Sequence, residues 1–135
     1  YLEMFADHPV VGVGLSQGDR LLPDYYQRLG IAEIFQSHAH NNYLQWLAGT
    51  GVPGFFLYLV IAFYFLGLAW SLRERSAWGW SLFLAQVFFH LGGLTEANFF
   101  DGETNHMIVF IWALTWAIND AMDLRARDDR RQTRA

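Results

Sequence analysis

Three long apolar runs constrain this chain more than any other feature. Residues 52–72 carry no charge, and about 21 residues suffice to cross a hydrocarbon core of roughly 30 Å. Residues 77–95 form a second uncharged run, and residues 106–122, with one aspartate, form a third at the short end for a span. These runs are apolar on every face, so we predict three membrane-spanning helices rather than a core hairpin of a soluble protein.

Composition supports the same class of protein. Hydrophobic residues make up 53% and aromatic residues 18% of the 135 residues, whereas charged residues make up only 16%. Soluble domains usually carry roughly 25% charged residues. Cysteine is absent, which excludes disulfides and thiolate metal sites. The net charge of −4 gives no reason to expect a nucleic-acid partner.

The distribution of arginines predicts the orientation of the chain. Arginines occur in the link 73–76 and crowd the tail 123–135, whereas the link 96–105 holds acidic residues and no base. By the positive-inside rule, the link 73–76 and the tail are cytoplasmic. Residues 1–51 and 96–105 then lie outside. The tail either extends the last helix or is disordered, and disorder is the simpler interpretation. We also expect further spans upstream of Tyr1.

The outer segment before the first run has a readable local structure. Asp24 to Phe35 has apolar residues at helical spacing and predicts an amphipathic helix. Asn41 or Asn42 can cap a short helix that runs to Ala48. Gly49 is placed to end that helix in a left-handed conformation.

His40 precedes the predicted start of this short helix at the outer membrane surface. Free N–H groups and the positive end of the helix dipole favour an anion there. They disfavour a charged imidazolium, and a neutral imidazole is the form that accepts a proton from a hydroxyl. The segment therefore offers an anion-binding helix terminus beside a base.

The spacing of His40-Asn41, nine residues, Gly51, two residues and Gly54 resembles the signature of bacterial O-antigen ligases. His8-Pro9 followed by Gly12-Val13-Gly14 is similar to the loop entry in this superfamily of ligases and polymerases. The three following runs are similar to the last three spans of the family. Phe55 stands where some ligases have Thr, which leaves the subtype open between ligase and polymerase.

The resemblance implies an all-α integral membrane protein of GT-C-like fold in the bacterial inner membrane, with the active face in the periplasm. It implies a metal-independent, inverting glycosyl transfer without a cofactor. A glycan on undecaprenyl pyrophosphate would join a sugar hydroxyl of lipid A–core or another glycan acceptor. The essential histidine of the family corresponds to His40, as the base for the acceptor hydroxyl.

Other residues are weaker candidates for the site. Arg20 and Arg28 are the cations of the outer segment and match phosphate oxygens, although a solvated charge is the default interpretation. Asn41 and His38 are candidates for supporting His40. His38 and His40 form a His-x-His pair, but the sequence places no convincing third ligand, so no metal site is predicted. On the acceptor side, the candidates in the link 96–105 are Glu96 and Asp101.

Two non-enzymatic alternatives remain at this point. A transporter would use polar groups within the membrane, and His90 in the second run is the candidate. Helix-to-helix hydrogen bonding explains His90 equally well. A purely structural membrane subunit is the other alternative, but it gives the spaced histidine motif no purpose.

Overall fold

The computed structural model describes residues 1–15, 17–32, 38–100 and 102–133. These residues form helices and turns without a strand, as the all-α prediction requires. In chain order the helices are α1 Leu2–Asp7, α2 Gly18–Arg28, α3 Asn42–Leu72, α4 Gly79–Gly92 and α5 Gly102–Gln132.

Helices α3 and α5 are each long and apolar enough to cross a membrane. Only 17% of the apolar stretch of α3 and 11% of that of α5 is buried inside the chain. The core helix of a soluble protein would be mostly buried, and exposed apolar surface of this extent requires a lipid or protein neighbour. The chain is therefore an integral membrane protein with two candidate membrane-spanning helices.

Helix α4 is shorter than either neighbour. Its 14 residues extend about 21 Å, less than a hydrocarbon core of roughly 30 Å. Its first residue, Gly79, lies so close to Leu72 that a side chain there would overlap the Leu72 carbonyl. At its other end, the carbonyl of the C-cap residue Gly93 accepts the backbone N–H of Asn42 at 2.7 Å. Helix α4 thus connects the two ends of α3, and its crossing of the membrane remains a prediction.

Helix α3 is folded back on itself at Gly51. Gly51 has φ 67°, a left-handed conformation that glycine adopts without steric cost. In a straight helix, Trp46 and Tyr58 would be about 18 Å apart. Their rings instead stack with centroids 5.1 Å apart and planes 5° apart. The first segment, residues 42–50, therefore packs against the second segment, residues 52–72.

Pro53 and the turn after α1 explain why the break in α3 is tolerated. In a continuous helix, the carbonyl of Gly49 would accept the N–H of residue 53, which proline lacks. Gly14 donates its N–H to that carbonyl at 2.9 Å. Pro53 therefore occupies the first turn of the second segment, where its missing N–H leaves no group unpaired.

The other backbone groups freed by the break are paired in the same way. The carbonyl of Ala48 accepts from the N–H of Val13 at 2.9 Å, and Val52 donates to the carbonyl of Pro9 at 2.8 Å. The chain after α1 thus replaces the missing helical hydrogen bonds. A side chain at Gly51 would overlap the carbonyl of Val10. The turn after α1 and the break in α3 therefore contact each other backbone to backbone.

Three local predictions need correction. The short helix was expected to end at Gly49 in a left-handed conformation, but the left-handed residue is Gly51, because the hydrogen bond from Val52 to Pro9 holds the backbone just after it. A helix was expected from Asp24 to Phe35, but α2 spans Gly18–Arg28, and residues 33–35 lie outside the described residues. The tail is not disordered as far as Gln132, because α5 continues through its Arg-rich part.

Helices α1 and α2 form a small cap on the first segment of α3. Its core consists of Met4, Leu22 and Ala48, with aromatic rings packed around them. The Asp7 carboxylate ties the two helices together, since it accepts from Tyr25 Oη at 2.9 Å and from Arg28 Nη1 at 2.6 Å. The cap therefore holds the outer segment against α3.

The opposite end of the helices carries the arginines. Arg75, in the link between α3 and α4, pairs with Asp123 of α5 at 2.5 Å. The link and the start of the tail therefore lie at the same end of the helices, as the topology prediction requires. That this end faces the cytoplasm stays a prediction.

Candidate functional site

His40 lies in a tight turn immediately before α3. Its φ of 46° is left-handed, a conformation uncommon for residues other than glycine although histidine is enriched in it. The next residue, Asn41, is extended, and its Oδ1 accepts the N–H of Leu44 at 2.9 Å. The predicted N-cap is therefore present, and it fixes the direction in which the chain leaves His40.

The helix terminus itself binds an anion less well than the sequence suggests. The N–H of Asn42 is bonded to the carbonyl of Gly93 and that of Leu44 to Asn41. Donors already paired within the protein are not free for phosphate oxygens. The structure accordingly supports anion binding at this helix terminus less than it supports a base at His40.

His38 and His40 are brought side by side by the same turn. Their ring centroids are 4.0 Å apart, and the backbone N–H of His40 lies 3.4 Å from His38 Nδ1. Gln45 supports the turn from below, because its Oε1 accepts the N–H of Ala39 at 3.2 Å while the residue is only 5% exposed. A buried helical side chain thus holds the loop that carries both imidazoles.

Glu96 is the acidic partner of His40. Glu96 Oε2 lies 3.1 Å from His40 Nδ1, and the two side chains are 58% and 39% exposed. A carboxylate at this distance accepts the Nδ1 proton and leaves Nε2 of the neutral ring as the proton acceptor. The pairing fits the prediction that the outer segment and the link 96–105 lie on one side of the membrane.

Asn42 is the residue that brings the link to the site. It is fully buried, and its Oδ1 accepts the N–H of Phe99 at 2.9 Å. Asn41 Nδ2 also donates to the carbonyl of Leu94 at 2.9 Å. Two consecutive asparagines therefore anchor the chain on both sides of Glu96.

Two cavities flank the imidazoles of His38 and His40. The first, of about 400 Å³, is lined largely by polar groups, among them Asp19, Gln45 and Asn98, together with Phe100. The second, of about 310 Å³, is lined by His40 and by aromatic and aliphatic residues that include Tyr1 and Tyr25. His38 contributes to both. His40 itself borders the apolar cavity, whereas its neighbour His38 and its partner Glu96 border the polar one.

The predicted arginines do not reach His40 in the described residues. Arg28 pairs with Asp7 and, at 3.5 Å, with Glu3, and its charge stacks on the ring of Tyr25. The hydrogen bond from Arg28 lowers the pKa of Asp7, as does that from Tyr25. Arg20 is exposed on α2. Asp101, the other acceptor-side candidate, lies outside the described residues.

His90 makes the helix-to-helix contact that was one of its two interpretations. Its Nδ1 lies 3.3 Å from the hydroxyl of Tyr58, and its carbonyl accepts from the hydroxyl of Tyr43 at 2.9 Å. Both partners belong to α3. His90 therefore joins α4 to the folded-back segment.

Sequence reasoning missed the supporting roles of Asn42 and Gln45. Asn42 was considered only as an alternative cap, and Gln45 not at all. The available signal was two polar side chains at helical spacing among apolar neighbours, which indicates burial with a hydrogen-bonding partner.

The comparisons with known proteins bear on this outer part of the chain. Residues 1–59 match the family model for O-antigen ligase. The match covers the cap, the His40 turn, the break at Gly51 and Gly54, so the resemblance seen in the sequence is confirmed. The match over residues 1–59 supports a ligase- or polymerase-like role, and the matched family implies a glycosyltransferase-like enzyme superfamily. In general terms, the family suggests a lipid-linked glycan as substrate and a glycan as acceptor. No curated protein and no solved structure matches the chain.

Proposed function

We propose that this protein transfers a glycan from undecaprenyl pyrophosphate to a sugar hydroxyl of lipid A–core or another glycan, with His40 as the general base. The acceptor oxygen attacks the anomeric carbon and forms the new glycosidic bond. The bond from that carbon to the phosphate oxygen breaks, and undecaprenyl pyrophosphate leaves with its electron pair. The acceptor proton passes to His40 Nε2. A single displacement of this kind inverts the anomeric centre.

The pairing of His40 with Glu96 is the observation that carries the proposal. A base is effective when its ring is held in one tautomer and orientation and when the imidazolium that forms is stabilised. Glu96, 3.1 Å from Nδ1, supplies both effects. General-base catalysis by such a group contributes roughly 10²- to 10⁴-fold in rate.

The polar cavity beside His38 and Glu96, the partner of His40, supports the assignment of substrates. Gln45, Asn98 and the ring of Phe100 line the first cavity and suit a sugar, whose hydroxyls need hydrogen-bond partners and whose face packs on an aromatic ring. We assign this cavity to the acceptor. The pyrophosphate is assigned to Arg20, because Arg28 is already paired within the cap.

The membrane placement belongs to the same proposal. In this proposal, α4 crosses the membrane as well as α3 and α5, within a GT-C-like fold. The end of the helices that carries Arg75 is cytoplasmic. His40 lies at the periplasmic face of the inner membrane. The surface near the lipid headgroups is where the pyrophosphate of a lipid-linked donor resides. The polar groups of the site gather at that end, which favours an enzyme over a transporter with a mid-membrane path.

The test of the enzyme is His40→Ala in the chromosomal gene, with His106→Ala as the matched control on the same proposed side. We expect loss of the glycan product with His40→Ala and a normal product with His106→Ala. Glycan left on undecaprenyl pyrophosphate would indicate a ligase, and single repeat units on the final acceptor would indicate a polymerase. Normal glycan transfer by a stably expressed His40→Ala protein would refute the role of the base.

None of the 135 residues is cysteine, so a cysteine introduced among them is the single labelling site of this part of the protein and tests the topology. Ser76→Cys lies in the Arg-rich link, and Glu103→Cys lies near the start of α5. A membrane-impermeant maleimide added to intact spheroplasts should label Glu103→Cys and should label Ser76→Cys only after permeabilisation. Labelling of both from one side would exclude α4 as a span.

A further inference from the structure

His38, His40 and Glu96 form a cluster that the sequence does not predict as a unit. One ring nitrogen of each histidine and one carboxylate oxygen of Glu96 lie within 4.8 Å of one another. The sequence shows only a His-x-His pair. The third group, Glu96, belongs to the link that follows α4. The folding of the link 96–105 onto the start of α3 therefore creates a set of three potential metal ligands.

We propose that His38, His40 and Glu96 bind a Zn²⁺ ion at the mouth of the site. Two imidazole nitrogens and one carboxylate are a donor set typical of zinc, with bonds of about 2.0–2.2 Å and a fourth position left for water. Ligands on a tetrahedral ion with such bonds are about 3.4 Å apart. His40 Nδ1 and Glu96 Oε2 already meet this spacing at 3.1 Å.

The remaining contraction is small and the side chains are able to make it. The cluster must close by at most about 1.4 Å from its 4.8 Å limit. His40 and Glu96 are substantially exposed, at 39% and 58%, so they move without disturbing a packed core. Asp19 lines the same cavity as His38 and Glu96, and its carboxylate adds negative charge that favours a cation.

Zinc binding has a consequence for transfer that rests on the proposed function of His40. Coordination removes His40 from its role as base, because the metal takes the lone pair or displaces Glu96 from Nδ1. The bound ion then inhibits the enzyme, and chelation restores it. The binding of the metal itself does not depend on what reaction the protein catalyses.

The experiment measures Zn²⁺ binding to the purified, detergent-solubilised protein by calorimetry with zinc chloride alone, without any glycan. We expect one zinc per chain. The variants His38→Ala and Glu96→Gln should weaken binding at least as much as the loss of an outer-shell partner does, about 10- to 100-fold. His38→Cys, which keeps a zinc ligand at the position, should retain binding, and His106→Ala should bind as the wild type does.

Two results would overturn the proposal. The first is the absence of stoichiometric binding, or binding that His38→Ala leaves unchanged. The second is glycan transfer that needs zinc and stops on addition of a chelator, which would contradict inhibition. If His40→Ala leaves transfer intact while zinc still binds to the wild type, the proposed base fails and the metal site stands.

Discussion

The rings of Trp46 and Tyr58 stack with centroids 5.1 Å apart, although the two residues are twelve positions apart within α3. The contact exists because the helix turns back at Gly51, where φ is 67°. The fold-back sets the direction of residues 42–50, and with it the position of the His40 turn relative to Glu96. The backbone of one glycine therefore controls the geometry of the site.

Gly51→Ala should destabilise the protein and lower glycan transfer. The backbone conformation of Gly51, with φ 67° and ψ −172°, is essentially restricted to glycine and costs a residue with a Cβ roughly 1–3 kcal/mol. The new methyl group would also overlap the carbonyl of Val10 and push the segment after α1 away. We expect a melting temperature several degrees lower, measured by differential scanning fluorimetry in detergent.

Gly67→Ala is the control for this prediction. Gly67 lies within the second segment of α3, and apart from the adjoining helix backbone and its chain neighbours no described atom lies within 4 Å of an added methyl group there. Alanine is favoured over glycine in a helix by up to about 1 kcal/mol. The melting temperature should stay the same or rise, and an equal loss in both variants would argue against a special role of Gly51.

Glu96→Gln should lower the turnover number about tenfold and leave the KM for the lipid-linked donor nearly unchanged. The amide keeps the size of the side chain but loses the charge that stabilises the imidazolium. A hydrogen bond to a charged group contributes roughly 1 kcal/mol more than a neutral one, and 1.36 kcal/mol is tenfold in rate. Steady-state kinetics with purified donor and acceptor provide the measurement, and unchanged turnover would remove Glu96 from the mechanism.

Asn42→Ala should weaken transfer through the position of Glu96 rather than through contact with substrate. The change leaves the N–H of Phe99 without its acceptor in a partly buried site, at a cost of roughly 1 kcal/mol. Hydrogen exchange by mass spectrometry should show faster exchange in residues 96–100. Asn41→Asp is the comparison for the helix cap alone, since aspartate caps a helix as well as asparagine does but cannot donate to the carbonyl of Leu94. That variant should keep the exchange protection of the first turn of α3.

The ion pair of Asp7 with Arg28 predicts an acid-sensitive cap. The hydrogen bonds from Arg28 and Tyr25 lower the pKa of Asp7 in the folded protein. A lowered folded-state pKa contributes stability that is complete above the unfolded value, roughly 3.9, and is lost as the pH falls through the folded value. Protection factors of α1 amides should therefore decrease with acid over that range. Asp7→Asn should lack this dependence and show lower protection at neutral pH.

Arg28→Ala separates a structural role from a role in binding the donor. The structure predicts that α1 becomes less protected from hydrogen exchange, because Arg28 pairs with Asp7 and Glu3. A higher KM for the donor with unchanged protection of α1 would instead assign Arg28 to the pyrophosphate. Arg20→Ala should show the second pattern if Arg20 binds the donor.

Local rules predicted much of the outer segment. The N-cap at Asn41 depends on neighbours in the sequence, because its side chain accepts a backbone N–H three residues later. The apolar runs likewise indicated the two long helices, because a span of lipid demands a continuous stretch of apolar residues. The end of the short helix was predicted at Gly49 rather than at Gly51 because either glycine can end a helix in a left-handed conformation.

The sequence by itself determined the class of protein and the positions of the arginines at the ends of the apolar runs. It also identified His40 as the residue to test. The tertiary structure alone decided that α3 folds back at Gly51 and that Glu96 meets His40. The reason is physical: hydrophobicity and capping act over a few residues. The partner of Val52 or of His40 depends on which distant backbone or side chain packs within 3 Å or so of it, and no local pattern encodes that distance.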